Sequence, residues 1–236
     1  MIVIPMAGLS SRFFKAGFEE PKYMLPLNQE TVFDWAVSSF KEYFETDEFL
    51  FIVRDVYNTP EFVEEHAKNL GIRNYSVYIL QGETQGQAET VYLAIKDLID
   101  QPIYIFNIDS KILKFKKYAQ AESVDGYLEV FEGEGDHWSF VRAGDDYQVL
   151  ETTEKVRISN LCSNGLYYFR SSQSFAEYFL KFKQKNIKNE LYIAPLYNLY
   201  IQDKKIIHYV VNPLENIAFC GVPDEYYAVL KQGESA

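Results

Sequence analysis

The sequence predicts an α/β fold, a mixed and mostly parallel sheet flanked by helices, with an antiparallel excursion in its second half. Two observations carry this. Up to about residue 110, short apolar runs alternate with segments of helical periodicity, the pattern of strands joined by crossover helices. From about residue 125 the runs shorten and crowd together, with turn residues between them, as strands joined by hairpins do.

Taken in order, residues 2–5 (IVIP) form a buried strand, and a polar loop follows. Residues 31–44 place Val32, Phe33, Trp35, Ala36, Phe40 and Phe44 on helical spacing. FLFIVR (49–54) is again a strand. TPEFVEEHAKNLG (59–71) reads as a helix with Thr59 as N-cap, Pro60 at its first position and Gly71 just past its end. YSVYIL (75–80) is a strand, 87–99 a helix, and PIYIFNID (102–109) a strand running into an acidic end. Ligands of such sheets gather at the carboxyl ends of the strands, where all these loops begin. The second half offers strands GYLEVF, WSFVRA, YQVLET and CSNGLYYF, and then helices at 172–186 and, with Asn189 as cap, at 190–202. The strand IIHYVV and a helix opened by Pro223 close the chain. No repeat or flexible linker interrupts it, so a single domain over 1–236 is expected, with halves meeting near residue 124.

The 236 residues are 47% hydrophobic, enough for a sizeable core. No leader or membrane span is evident, so membrane insertion is not expected and the expected location is cytoplasmic. Cys162 and Cys220 sit in apolar, strand-like contexts and read as buried thiols. His66, His137 and His208 lack metal-ligand spacing. A net charge of −11 argues against nucleic acid, which demands a basic surface, but not against a mononucleotide, for which the local cluster Arg12, Lys15 and Lys22 is enough. Lys111, Lys114, Lys116 and Lys117 read as a solvated face.

The loop in MAGLSSRFFKAGFEEPKYMLPL (6–27) is too polar for a core element. Gly8, Ser10 and Ser11 are small enough for main-chain N–H groups to reach phosphate oxygens, Arg12 offers a planar fork, and Lys22 adds a point charge. An ordinary surface loop with scattered cations would read equally well from this stretch alone.

With G-x-S-x-R followed by PKYMLPL, the loop resembles that of the sugar-phosphate nucleotidylyltransferases, commonly G-x-G-x-R followed by P-K-x-L-x-P. The resemblance continues in order. QGETQGQAETV (81–91) is similar to the family's base-recognition segment and FNID (106–109) to its strand ending in a metal-binding aspartate. ETTEKVRISNLCSNGLYYF (151–169) resembles its sugar-phosphate half, and FCGVPDEY (219–226) its closing G-T-P-E-D-Y. The resemblance implies a Rossmann-like fold and transfer of NMP from an NTP to a phosphorylated acceptor with release of pyrophosphate.

The same resemblance distributes the roles. Arg12, Lys22 and Lys155 would be catalytic, the first two steadying the triphosphate and the leaving pyrophosphate. Ala7, Gly8, Ser10, Ser11, Gln81 and Gly86 would bind the nucleotide, Gln81 reading a base edge with its donor and acceptor atoms. Glu154, Lys155 and Asn164 would bind the acceptor, and Asp109 would hold Mg²⁺, a hard cation suited to carboxylate and phosphate oxygens. Two departures stand out. Phe219 occupies the place of a second metal-binding aspartate, for which Asp224 or Glu215 could compensate, and Leu9 and Ser10 replace the small residue and second glycine of the common loop. The expected role is activation of a sugar phosphate for a bacterial surface polysaccharide, with a homo-oligomer left open. A nucleotide-sugar glycosyltransferase is the rival enzyme, although Asn107 and Asp109 stand where it would show D-x-D; Phe219 keeps a catalytically silent, nucleotide-binding subunit as a further alternative.

Overall fold

Ile2, Val3 and Ile4 have no exposed surface because their strand runs between two apolar layers: Ile2 and Ile4 pack into one core, Val3 into the other. A strand covered on both faces reads as an unbroken apolar run, with its side chains parted between the faces by the two-residue period. The structure, a computed structural model, describes residues 1–186 and 189–233.

The first half runs β1 (Ile2–Pro5), α1 (Ser11–Lys15), β2 (Pro26–Leu27), β3 (Glu30–Thr31), α2 (Val32–Val37), β4 (Glu48–Arg54), α3 (Thr59–Asn69), β5 (Asn74–Leu80), α4 (Gln87–Ile95) and β6 (Ile103–Phe106). The second runs β7 (Ser110–Ile112), β8 (Gly126–Glu132), β9 (Ser139–Ala143), β10 (Val149–Glu154), β11 (Leu161–Phe169), α5 (Ser172–Lys185), α6 (Tyr197–Gln202), β12 (Ile207–Val211), β13 (Ile217–Phe219) and α7 (Pro223–Gly233). Among the described residues β5, β4, β1 and β6 lie side by side and parallel, and β11 joins β6 antiparallel. β8 and β12 extend the sheet beyond β11, which is also paired to the β9–β10 ribbon. Residues of α2, α3 and α7 join one core, and residues of α4, α5 and α6 the other.

The chain passes from β1 to β4 and β5 on one side and then crosses back to β6 on the other, and a crevice opens at the carboxyl ends of β1 and β6. A second opening lies next to it. β11 pairs with β6 through Leu166–Phe169 but with β9 at Cys162, and its pairing with β8 breaks register between Ser163 and Tyr167. Gly165 sits in this break at φ +95, where a Cβ would lie 2.7 Å from the Asn107 amide nitrogen; no side chain fits there. The sheet parts at this glycine.

Several elements differ from the sequence expectation for physical reasons. The helix expected over 31–44 is α-helical only to Val37 and then 3₁₀ through Tyr43, with Phe40 at φ −103. Ser38 and Ser39 donate their hydroxyls to Trp35 O and Ala36 O, the back-bonding that bends helices. Asn58 rather than Thr59 is the N-cap of α3, since Thr59 is already helical and donates its hydroxyl to Val56 O. The helix expected over 190–202 begins at Ala194, because the Leu191 backbone bonds to Gln85 O and Ala88 N of the opposite turn and is held out of helical geometry. α4 stops at Ile95 and β6 at Phe106, so Asp109 stands in the turn between β6 and β7. No helix among the described residues is long and apolar enough to cross a membrane, and both cysteines are buried thiols.

Candidate active site

Two cavities of about 570 and 590 Å³ open at the carboxyl ends of β1 and β6. They meet at Gln87, Asn107, Asp109 and Glu190, which line both.

Ala7, Gly8 and Leu9 line the first cavity, facing the Thr84–Gln87 turn. Ser10 and Ser11 stand outside both linings: Ser10, at φ 51, caps α1, and its hydroxyl accepts from the Lys22 N–H at 3.1 Å, tying the two arms of the loop together. That bond brings the Lys22 ammonium to Asp109, 2.5 Å from Oδ2. Gly86, at φ +149, also lines this cavity; a Cβ there would lie 2.6 Å from Leu191 O, so the glycine lets the 85–88 turn press against the strap at Leu191. Glu89 fastens the same turn by accepting from the Gln85 N–H at 2.6 Å and from Lys183. Gln81 is exposed outside both linings, its amide 3.4 Å from Ile79 O.

Arg12 reaches the second cavity, in company with Asp109 and Glu225. Glu154 lines its far side, accepting from the Ser139 hydroxyl, and burial pushes its carboxyl above the ordinary range while that hydrogen bond and Lys155 pull it back. Lys155, at φ 56, stands outside both linings; its ammonium donates to the Tyr192 hydroxyl at 2.5 Å and lies 3.8 Å from Glu154, both of which line the second cavity, and the first of these contacts raises its pKa. Asn164 lines the cavity with its polar atoms already engaged, by Glu129 at 2.9 Å and by the Leu166 N–H at 3.1 Å. Phe219 is part of the lining, packed on Trp138 with ring centroids 4.8 Å apart.

The carboxylate near Asp109 is neither Asp224 nor Glu215 but Glu225, which accepts from the Gly221 and Val222 N–H groups at 2.7 and 3.2 Å. A Cβ on Gly221 would lie 3.2 Å from Asp109 Oδ2 and 3.5 Å from Glu225 Oε2, so one glycine separates the two acids. Its neighbour Cys220 donates its N–H to Asp109 O, and burial together with the Asp109 charge pushes its thiol to about 12. Sequence reasoning also missed Gln87, whose amide bonds Asn107 Oδ1 at 2.6 Å where the cavities join. The signals were present, a glutamine opening α4 and an acid in the first turn of α7, but each has a commoner structural role.

The fold has known counterparts. The nucleoside-diphosphate-sugar pyrophosphorylase of Vibrio cholerae RC9 is 46% identical, with a TM-score of 0.94 over 98% of this chain and 100% of that one. This chain belongs to the sugar nucleotidyltransferase family. Two solved structures with more distant sequences share the fold: the inositol-1-phosphate CTP transferase of T. maritima (11% identity, TM-score 0.77, 98% of this chain and 94% of that one) and a UDP-glucose pyrophosphorylase complexed with UDP-glucose (15%, 0.77, 99% and 98%). No family model and no curated protein matches the sequence. Membership makes the protein a nucleotidyltransferase, and the two joined cavities suit a family whose reaction brings a nucleotide and a second substrate together.

Proposed function

We propose that the first cavity takes an NTP, that the second takes a phosphorylated acceptor, and that the reaction joins NMP to the acceptor with release of pyrophosphate. The observation that supports this best is the meeting of two cavities of similar size at Asp109, with Lys22 on one side of it and Arg12 on the other. An acceptor phosphate oxygen bonds to the α-phosphorus as the bond from that phosphorus to the bridging oxygen breaks, and the electron pair leaves with pyrophosphate. Charge accumulates on oxygens, so the protein contributes by positioning and by fixed cations. Ala7 and Gly8 give the triphosphate close access to backbone, Lys22 and Arg12 oppose its charge, and Lys155 with Glu154 orients the acceptor.

Among the described residues no group of three or more His, Cys, Asp or Glu side chains could hold a metal ion by itself. The donor set fits instead a Mg²⁺ ion that arrives on the triphosphate and takes one or two carboxylates, Asp109 with Glu225 nearby. Such an ion would supply further neutralisation of phosphate charge. A reaction that consumes an NTP suits the cytoplasm, and its product suits assembly of a bacterial surface polysaccharide. Incubation of the protein with each NTP, Mg²⁺ and a panel of phosphate monoesters, read by pyrophosphate release, tests the reading. Acceptor-dependent release is expected; none with any pair would favour the catalytically silent reading that Phe219 keeps open.

A further inference from the structure

The second cavity has a lining that a neutral sugar phosphate does not account for. Four carboxylates line it, Asp109, Glu154, Glu190 and Glu225, against one lining cation, Arg12, with the Lys22 ammonium on Asp109 and the Lys155 ammonium 3.8 Å from Glu154. Asp109 and Glu225 stand together at Gly221, where the triphosphate and its metal would come, whereas Glu154 accepts from Ser139 and Glu190, which lines both cavities, accepts from Tyr192. The end at Ser139 is aromatic. Trp138 and Phe219 pack at 4.8 Å with Phe131 behind them at 5.1 and 5.2 Å, and His137 lies 4.4 Å from Trp138. Tyr167 and Tyr192 complete the lining.

Aromatic faces beside carboxylates form the environment that holds an ammonium group, which is drawn to the ring quadrupoles within about 6 Å of a ring centroid. The chain itself already places one there. Lys155 Nζ lies 4.5 Å from the centroid of Tyr192, whose hydroxyl donates in turn to Glu190. The phenylalanine at 219, where the family's pattern has an aspartate, fits the same account, since it exchanges a charge for a ring face next to Trp138. We infer that the acceptor is a phosphate monoester carrying a cationic nitrogen, a phosphorylated amino alcohol or its N-methylated form, with the phosphate toward Arg12 and Asp109 and the cation among Trp138, Phe219, Glu154 and Glu190. This rests on the proposed nucleotidyl transfer and adds no chemical step to it: the nitrogen is held, and the phosphate oxygen still makes the new bond.

The test compares phosphoethanolamine and phosphocholine with two acceptors lacking the charge, glucose 1-phosphate and 3,3-dimethylbutyl phosphate, which has the shape of phosphocholine. With the preferred NTP, at least one cationic acceptor should exceed both neutral ones in kcat/KM by roughly tenfold or more. Equal or better use of either neutral acceptor would overturn the inference and leave nucleotidyl transfer standing. Pyrophosphate release with none of the four, nor with any other monoester, would overturn both. Trp138→Leu and, as a variant that keeps an acceptor for the Ser139 hydroxyl and lines only the second cavity, Glu154→Gln should each reduce the preference for the charged acceptor over its neutral isostere while calorimetric NTP binding stays within about twofold. An unchanged preference in both folded variants would also overturn the assignment.

Discussion

The two cavities differ in what builds them. The first is made by turns, Ala7 to Leu9 against Thr84 to Gln87, joined by residues such as Lys22, Arg54 and Asn107. The second is made by side chains on and beside strands, aromatic rings and carboxylates that stand where the sheet parts at Gly165. A triphosphate is the same in every NTP and can be met by main-chain N–H groups, whereas the acceptor has to be distinguished by shape and charge. The difference teaches that motif spacing carries information about the first cavity, and that the second depends on which side chains the fold brings together.

The largest effect that would sharpen this comparison is at the junction. Asp109→Asn removes a charge from the place where both substrates meet, and turnover should fall by about a hundredfold or more, with the Mg²⁺ dependence of pyrophosphate release weakened. Unchanged metal titration would move the ion elsewhere. Arg12→Ala follows: loss of one charge-assisted contact, worth roughly 1.5–3 kcal/mol, should lower kcat about tenfold to a hundredfold without changing the thermal midpoint.

Gly86→Ala addresses the seam between the turn and the strap. With its Cβ 2.6 Å from Leu191 O and its φ at +149, the variant should lose on the order of 2 kcal/mol, or about 4–8 °C in Tm. NTP affinity should fall with it, because the same turn lines the first cavity. A variant as stable as the wild type would mean that Leu191 does not hold the turn.

The smallest effect concerns Glu129, buried behind the second cavity, where burial pushes its carboxyl above the ordinary value of 4.5 against the amides of Asn164 and Asn212. The folded protein therefore holds a proton that the unfolded chain has released, and this contribution to stability is present at low pH and lost as pH rises from about 4.5 through the raised folded value. Glu129→Gln keeps an acceptor for both amides and should flatten that decline. Parallel Tm profiles of variant and wild type between pH 4.5 and 7 would contradict it.

Most of the fold was legible in the sequence. Doubly buried strands show as apolar runs, and Pro60, Gly71 and Pro223 marked helix ends through backbone chemistry alone. What escaped was decided by tertiary contacts: the strap at Leu191, whose backbone answers Gln85 and Ala88, and the bend at Ser38 and Ser39. In the site, Lys22, Asp109 and Glu154 line the cavities, each in or beside a strand or loop that periodicity locates. Gln87 and Glu225 did not announce themselves, and neither did the ring set around Trp138, because a helix-opening polar residue and a strand aromatic look the same wherever the fold places them.

The division of the pocket is the central claim, and calorimetric titration of NTP into two variants, followed by acceptor kinetics, tests it most directly. Arg54 lines only the first cavity, and Lys155, outside both linings, bonds Tyr192, which lines only the second. Arg54→Ala should weaken NTP binding about tenfold with the acceptor KM little changed, and Lys155→Ala should raise the acceptor KM by a similar factor with NTP binding nearly normal. Equal losses for both ligands in both variants would contradict the division.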